Sequence, residues 1–356
     1  MIDQQANHAP VKRNPTIVDI AISAGVSIRT VSRVISGSSC VNTKTRQRVE
    51  AEIARAAFQP NRRARAMAAG RSFLVGVIES SDNPVVVGEL QSGLLTVASA
   101  AGYEIVVHPV PANNSDPAAN VLDFVRRSRV DGVIVLPPIS ELEQVAGQLR
   151  GMGLPAVGVA AAGIPGYPAV LLSDEEGAAA QVVQHLVAKG HRKIALVTGP
   201  STQLSSQKRE AGFRAALRRS GLSLAASHRV QGDYSYESGR KAGDCLLEDP
   251  DPPTAVFSCS DLMAAGLIGA ALKRGLTLPR DLSVVGFGDS SLASIVWPPL
   301  TSVRLPCGDL GCRAMDRLLA LIDGRADGPR DEIVRLSLVS RASTDSPATP
   351  RTLKSA

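Results

Sequence analysis

Arg29 and Arg33 stand four residues apart in the run SIRTVSRVIS, with Ile28 and Ser32 beside them. On a helix that spacing puts all four on one face. Near a helix amino end, a guanidinium of this kind gives two parallel hydrogen bonds to guanine O6 and N7, and an isoleucine packs on a thymine methyl group. The chemistry open to this face is the reading of base edges in DNA, and the distribution of charge agrees. Residues 1–72 hold 12 Lys and Arg against 4 Asp and Glu, a net of +8, while the other 284 hold 27 against 29. All of the basicity sits in the first fifth of the chain, as an electrostatic footprint for a polyanion requires.

Three short helices must position that face. Thr16-Ile17-Val18-Asp19 has the form of a capping box, and Ile17, Ile20, Ala21 and Ala24 follow at helical spacing up to Gly25. Ser27 caps a second helix over Ile28–Ile35, with Val31, Val34 and Ile35 inward and Gly37 as its stop. Asn42 or Thr43 caps a third, in which Val49, Ile53, Ala56 and Ala57 face inward. Two short helices around an Ala-Gly-Val turn, braced by a third, make a helix-turn-helix. Asn61–Ala69, NRRARAMAA, is a further helix-compatible run, too short to hold alone in water.

The 356-residue length predicts two or three domains, and 44% hydrophobic with 20% charged residues is ordinary globular composition. No stretch approaches the roughly 18 apolar residues of a membrane span. Residues 1–15 lack the apolar core of a secretory signal, so the expected compartment is the cytoplasm. Cys40, Cys245, Cys259, Cys307 and Cys312 read as reduced thiols, and no second pair completes a zinc site around Cys307 and Cys312. His8, His108, His185, His191 and His228 show no ligand spacing and read as surface or strand-end residues. Neither metal nor cofactor is called for. GxxxxGK[ST], HExxH and GxSxG are absent, and GFGDSS at 286–291 lacks the third glycine of a dinucleotide loop, so an enzyme is not expected.

From Phe73 onward the rhythm is strand and helix in alternation. Leu74–Ile78, Glu104–His108, Gly132–Leu136, Ala156–Val159, Lys193–Val197, Ala255–Phe257 and Ser283–Phe287 read as buried strands. Glu89–Ala101, Gly177–Lys189, Arg209–Ser220, Tyr236–Leu247 and Asp261–Lys273 read as helices between them. The fold class expected is therefore a small all-α head followed by an α/β core of two doubly wound parallel sheets, with ligand beyond the carboxyl ends of the strands.

AGVS, TVSRV, TRQRV and QPN in the first 72 residues, then RVDGVIVLPP, GHRKIALVTGP, TAVFSCSDLMAAG and LPRDLSVVGFGDSSLASIVWPPLTSVR, closely resemble the lactose-repressor/galactose-repressor (LacI/GalR) family up to about residue 343. The resemblance implies a two-lobed, periplasmic-binding-protein-like core clamping a small-molecule effector. It implies a flexible tail at 1–14, the helix-turn-helix at 15–60, a hinge helix or linker at 61–72 and the core at 73–343. The lobes would be 73–174 plus 304–331, and 175–303 plus 332–343, with a second flexible tail at 344–356. A homodimer on palindromic double-stranded operator DNA follows, without a membrane partner and without a carboxy-terminal tetramerising coiled coil. Helices after Glu89 and Asp261 and the loop of Trp297 would form the dimer, unless Trp297 is ordinary core.

Carried over by position, the DNA contacts fall on Thr16, Ser27, Ile28, Arg29, Thr30, Arg33, Asn42, Lys44 and Thr45, with Arg63, Arg65 and Met67 in the hinge. Met67 stands where the family has a leucine wedge in the minor groove. The effector contacts fall on Val87, Asp174, Gln203, Ser205, Arg209, Tyr234, Ser260 and Asp289. Three departures stand out: Gly288 and Ala160 replace cleft carboxylates, and Val86 and Val87 replace aromatics. A cleft that keeps Arg209 and loses two carboxylates predicts an anionic ligand such as a sugar acid, ahead of a neutral sugar.

Overall fold

Thr16 and Asp19 cap the first helix reciprocally. The Thr16 N–H donates to Asp19 Oδ2 at 2.7 Å, and the Asp19 N–H donates back to Thr16 Oγ1 at 3.4 Å. The computed structural model describes residues 15–35, 38, 40–56, 58, 71–80, 84–111, 114–325 and 328–347. The chain divides into two compact units between Phe73 and Leu74.

In the first unit, α1 (Ile17–Ser23) ends at Gly25, whose φ of +60° suits a residue without Cβ. Ser27 Oγ accepts the Thr30 N–H at the start of α2 (Ile28–Ile35). Asn42 Oδ1 accepts the Thr45 N–H at 2.8 Å, so Asn42 rather than Thr43 caps α3 (Thr43–Arg55). Ile20, Ala21, Ala24, Val31, Val34, Val49 and Phe58 make the core. Ile53 and Ala56 are only half-buried beside it, and Ala57 and Gly37 lie outside the described residues.

The second unit holds two six-stranded sheets. Its elements run β1 (Leu74–Glu79), α4 (Pro84–Ala100), β2 (Glu104–Pro109), α5 (Pro117–Ser128), β3 (Gly132–Val135), α6 (Glu143–Gly151), β4 (Ala156–Ala160) and β5 (Ala169–Ser173). Then come α7 (Glu175–Ala188), β6 (Ile194–Thr198), α8 (Leu204–Arg219), β7 (Arg229–Gln231), α9 (Tyr236–Leu247), β8 (Ala255–Ser258), α10 (Asp261–Lys273) and β9 (Ser283–Gly288). The last elements are α11 (Ser291–Ile295), β10 (Thr301–Arg304), α12 (Cys307–Ile322), β11 (Asp331–Val334) and β12 (Ser337–Val339). One sheet is ordered β11-β5-β4-β3-β1-β2 and is parallel throughout; the other is β12-β10-β9-β8-β6-β7, parallel except for β12. Strands such as Val133–Val135 and Ala195–Val197 are buried without alternation, as strands covered on both faces must be.

The chain passes between the lobes after β5, after β10 and after β11. Gly93 on α4 meets Gly308 and Gly311 meets Leu90, so closely that a Cβ at either would lie within 2.3 Å of a backbone oxygen. This contact seats α12 in the first lobe. Two expected boundaries move, and Arg304, expected in the first lobe, closes β10 in the second sheet. Residues 332–334 belong to the first sheet, because Asp331–Val334 pairs in parallel with Val170–Ser173. DEIVRLSLV reads as one alternating run, and nothing local marks the switch at Arg335 and Leu336. The second correction is the tail expected from residue 344: Thr344 is buried, with Oγ1 2.9 Å from His185 Nε2, and Asp345 N–H donates to Ser283 Oγ. The five strands unforeseen by pattern (β5, β7, β10, β11, β12) are three to five residues long, and all but β5 lack an unbroken apolar run.

His191 anchors that carboxy-terminal segment. Its Nδ1 is 2.9 Å from Thr254 Oγ1, and its Nε2 is 3.1 Å from Ser283 Oγ and 2.8 Å from the Asp345 carbonyl. It is a buried strand-end residue rather than a surface one. Burial holds its ring below the ordinary imidazole range; Lys189 adds to that, and the Asp345 carbonyl and carboxylate oppose it. The folded state therefore keeps His191 neutral where the unfolded chain would take up a proton. Its contribution is complete above about pH 6.5 and diminishes as the pH falls below that value. Denaturant unfolding at pH 7.5 and 5.5 checks this: the acid-side loss should shrink in His191→Asn. His191→Ala removes the ring's bonds to Thr254, Ser283 and the Asp345 carbonyl, while Ser283 Oγ still donates to that carbonyl, and should cost about 0.5–1.5 kcal/mol at pH 7.5.

Candidate functional site

On the head, α2 is amphipathic in the sense expected. Val31 and Val34 enter the core while Ile28, Arg29, Ser32 and Arg33 are exposed. Ile28 leaves half of its surface in water, which a structural role would not require. Lys44 is exposed and Thr45 half-buried. Thr16, Ser27 and Asn42 hold helix amino ends with their side-chain oxygens, and Thr30 Oγ1 is 2.9 Å from Ser27 Oγ. These four fix the helices that present Arg29 and Arg33. Arg63, Arg65 and Met67 lie outside the described residues.

In the second unit, a cleft opens where the carboxyl ends of both sheets meet. Its walls include Val86 and Val87 from α4, Gln203, Ser205 and Arg209 at the head of α8, Tyr234, Ser260 and Gly288. Six of the eight positions carried over from the resemblance, namely Val87, Gln203, Ser205, Arg209, Tyr234 and Ser260, therefore stand together. Ser260 also caps α10, accepting the Met263 N–H at 3.1 Å. Tyr234 has a left-handed backbone, φ +69°, and its ring lies over Gly199, where a Cβ would come within 2.2 Å of the phenol. Burial pushes the Tyr234 hydroxyl above its ordinary range.

Two positions are not cleft walls. Asp174 is exposed and caps α7 through the Gly177 N–H, the three-residue spacing of an N-cap that its sequence shows. Asp289 turns away, its carboxylate held by Arg304 and Arg341 at 2.6 Å each. Ala160 is buried in β4, and its neighbour Ala161 lines the cleft instead.

Glu175, which sequence reasoning missed, is the carboxylate of the cleft. Its Oε2 accepts from Arg209 Nε at 2.6 Å, with both side chains at least nine-tenths buried. Arg209 Nη1 donates to the Cys259 carbonyl at 2.8 Å, and its guanidinium stacks 3.6 Å over the Phe287 ring. Burial alone would lower the Arg209 pKa; Glu175 outweighs it and holds the guanidinium charged. The premise of an unpaired arginine awaiting an anion is thereby corrected, because the protein supplies the partner. Burial also pushes the Cys259 thiol up to about 11 and that of Cys307 up to about 12, leaving both protonated and unreactive.

A second missed carboxylate joins the lobes. Gln203 makes no side-chain cap on α8; instead Glu141, in the turn Ile139–Glu141 of the first lobe, accepts the Leu204 N–H at 3.0 Å. A helix amino end in one lobe is thus capped by an acid from the other. Burial raises the Glu141 pKa, against the Leu204 and Ala161 amides and the Arg209 charge. No local signal marks Glu141, since its partner is 63 residues away.

Both carboxylates can be tested. Glu175→Ala leaves Arg209 buried and unpaired and should lower core stability by about 3–5 kcal/mol in chemical denaturation. Glu141→Ala should leave each lobe folded but loosen closure, read as an increased radius of gyration in small-angle scattering; an unchanged value would mean the cap does not hold the lobes.

The comparisons with known proteins come to the same two units. Residues 16–61 match the model for bacterial regulatory proteins of the lacI family, and residues 183–344 match a periplasmic binding protein-like domain. The lactose operon repressor of Escherichia coli (strain K12) is 33% identical over 342 residues, covering 95% of this chain and 94% of that protein. Catabolite control protein A of Priestia megaterium is 37% identical over 307 residues, covering 86% and 92%. The lac repressor dimer bound to operator and the anti-inducer ONPF superposes with a TM-score of 0.80 at 32% identity, over 94% of this chain and all of that one. Members of this group are regulators rather than enzymes. With a helix-turn-helix head, an effector-binding core and identity of this extent, the chain belongs to the LacI family of DNA-binding transcriptional regulators.

Proposed function

We propose that this protein is a repressor that binds a palindromic operator as a homodimer, with Arg29, Arg33 and Ile28 reading bases and a small molecule in the cleft setting the affinity. The observation that carries the reading is the exposed base-reading face on α2, in the same chain as a cleft lined from both lobes. The cleft contacts proposed are Val87, Gln203, Ser205, Arg209, Tyr234 and Ser260, with Glu175 added and Asp174 and Asp289 removed. The reading keeps Thr16, Ser27, Thr30, Asn42, Lys44 and Thr45 as groups at the DNA surface, and Arg63, Arg65 and Met67 as hinge contacts in the minor groove. It also places the protein in the cytoplasm; among the described residues no helix is long and apolar enough to cross a membrane.

Exposed apolar groups support a dimer. Leu95 on α4 and Leu272 on α10 are half exposed, and Ile295 and Trp297 leave about three-quarters of their surface in water. Trp297 is therefore not core. Two heads related by a two-fold axis would meet two half-sites, so operator symmetry follows protein symmetry. By linkage, whatever factor the effector imposes on DNA affinity, DNA imposes on effector affinity.

Selection of bound fragments from a random duplex pool at two salt concentrations tests the reading. A palindrome with a flexible pyrimidine–purine centre is expected. Enrichment without sequence preference that disappears with salt would sink it. Arg29→Ala should relax choice at one base pair per half-site at a cost of about 1–3 kcal/mol, whereas a uniform loss across sequences would make Arg29 a phosphate contact. Trp297→Asp should give monomers in analytical ultracentrifugation.

A further inference from the structure

We propose that the effector is an uncharged ring compound with an apolar face and hydrogen-bonding groups at two ends, and not a sugar acid, a sugar phosphate or a free polyol. This rests on the reading of the cleft as the effector site and deepens it. The first argument is charge. Arg209 is already neutralised by Glu175, with Nε and Nη1 committed to Glu175 and to the Cys259 carbonyl. The carboxylates nearest the cleft are likewise committed. Asp289 is held by two arginines, Asp261 accepts from Ser290 and Ser302, and Glu141 caps α8. An anion entering such a site finds its one arginine already paired and would be buried beside Asp261 and Glu141, which hydroxyl and amide hydrogen bonds hold without a cation.

The second argument is the wall. Val86, Val87 and Leu90 form one side, and Leu136, Pro137 and Val159 another. Gly288 and Ala161 bring no polar side chain. A free polyol carries hydroxyls around its whole rim, and those facing these walls would lose water without gaining a partner. A flat or aliphatic ring face would instead be covered.

The third argument is the two groups left waiting. Ser80, only 3% exposed, follows β1 in the first lobe, and its Oγ makes no hydrogen bond among the described residues. Tyr234, 7% exposed, comes from the second lobe. Its Oη, with Ser205 alongside, forms no hydrogen bond of normal geometry. Both residues line the cleft. Buried hydroxyls are usually paired. Those of Tyr167 and Thr198 also lack a partner among the described residues but lie away from the cleft, whereas Ser80 and Tyr234 face it from the two lobes and mark the ends of a ligand that bridges them. Closure of the lobes on such a molecule satisfies one hydroxyl from each.

The test uses the full chain with three groups of probes at equal concentration. These are adenosine, thymidine and 4-hydroxybenzamide as neutral ring compounds, glucose and galactose as free polyols, and glucuronate and glucose 6-phosphate as anions. Thermal unfolding and operator affinity are read for each. The expected result is that a neutral ring compound raises the unfolding temperature and changes DNA affinity, while polyols and anions do neither. Ser80→Ala should then weaken that compound by about fivefold, the size of one hydrogen bond. If an anion or a polyol is the stronger ligand and changes DNA affinity, the ligand class is overturned while the effector reading stands. If no neutral ring compound shifts the unfolding temperature, the ligand class is likewise rejected. If no compound of any group affects DNA affinity, the effector reading falls with it.

Discussion

The buried ion pair between Arg209 and Glu175 sets the terms for the rest of the core. Glu175 opens α7 at the first crossing between the lobes, and Arg209 lies one turn into α8, so the bond clasps the two helices that begin the second lobe. Neither charge is tolerable there alone. The pair persists because Cys259 and Phe287 complete the guanidinium's surroundings. It also fixes what the cleft can bind, since an arginine that is satisfied internally orients ligand oxygens without demanding a counter-ion.

Around that clasp, the two lobes are tied by backbone, by Leu204 packed against the first lobe's core, and by Glu141. Three chain crossings limit their relative motion to hinge-like closure. Glu141 adds a bond that exists only while the lobes are together, so the closed form has a stabilising contact of its own even without ligand. Any effector then acts on an equilibrium to which this bond contributes. Only the difference between its affinities for the two forms reaches the DNA.

Much of this was legible in the residues. The helix-turn-helix followed from capping signals and a four-residue arginine spacing, because local hydrogen bonds and one small apolar core decide such a unit. The seven foremost strands followed from their unbroken apolar runs. The cleft was legible only through likeness to a family, and there the errors are instructive. In DEE at 174–176 the first acid caps the helix, the second points inward, and the third pairs with Lys208 at the surface. Composition cannot separate these, whereas the N-cap spacing to Gly177 could have removed Asp174. Asp289 failed for another reason: its arginine partners are 15 and 52 positions along the chain, one ending β10 and the other beyond the last strand. Glu141 was invisible because its role depends on how two lobes meet.

The placement of β11 and β12 has a consequence for how the molecule comes into being. Each sheet receives an edge strand from residues 331–339, and Asp345 ties the following segment to β6 and β9 through His191 and Ser283. During synthesis the head, residues 17–55, is complete long before either sheet. Domains fold as units in the order they emerge. A nascent chain therefore presents a folded DNA-reading module while its sensing half still lacks both edges. Until residues 331–345 have been made, the growing polypeptide holds the part that grips DNA without a finished core to govern it.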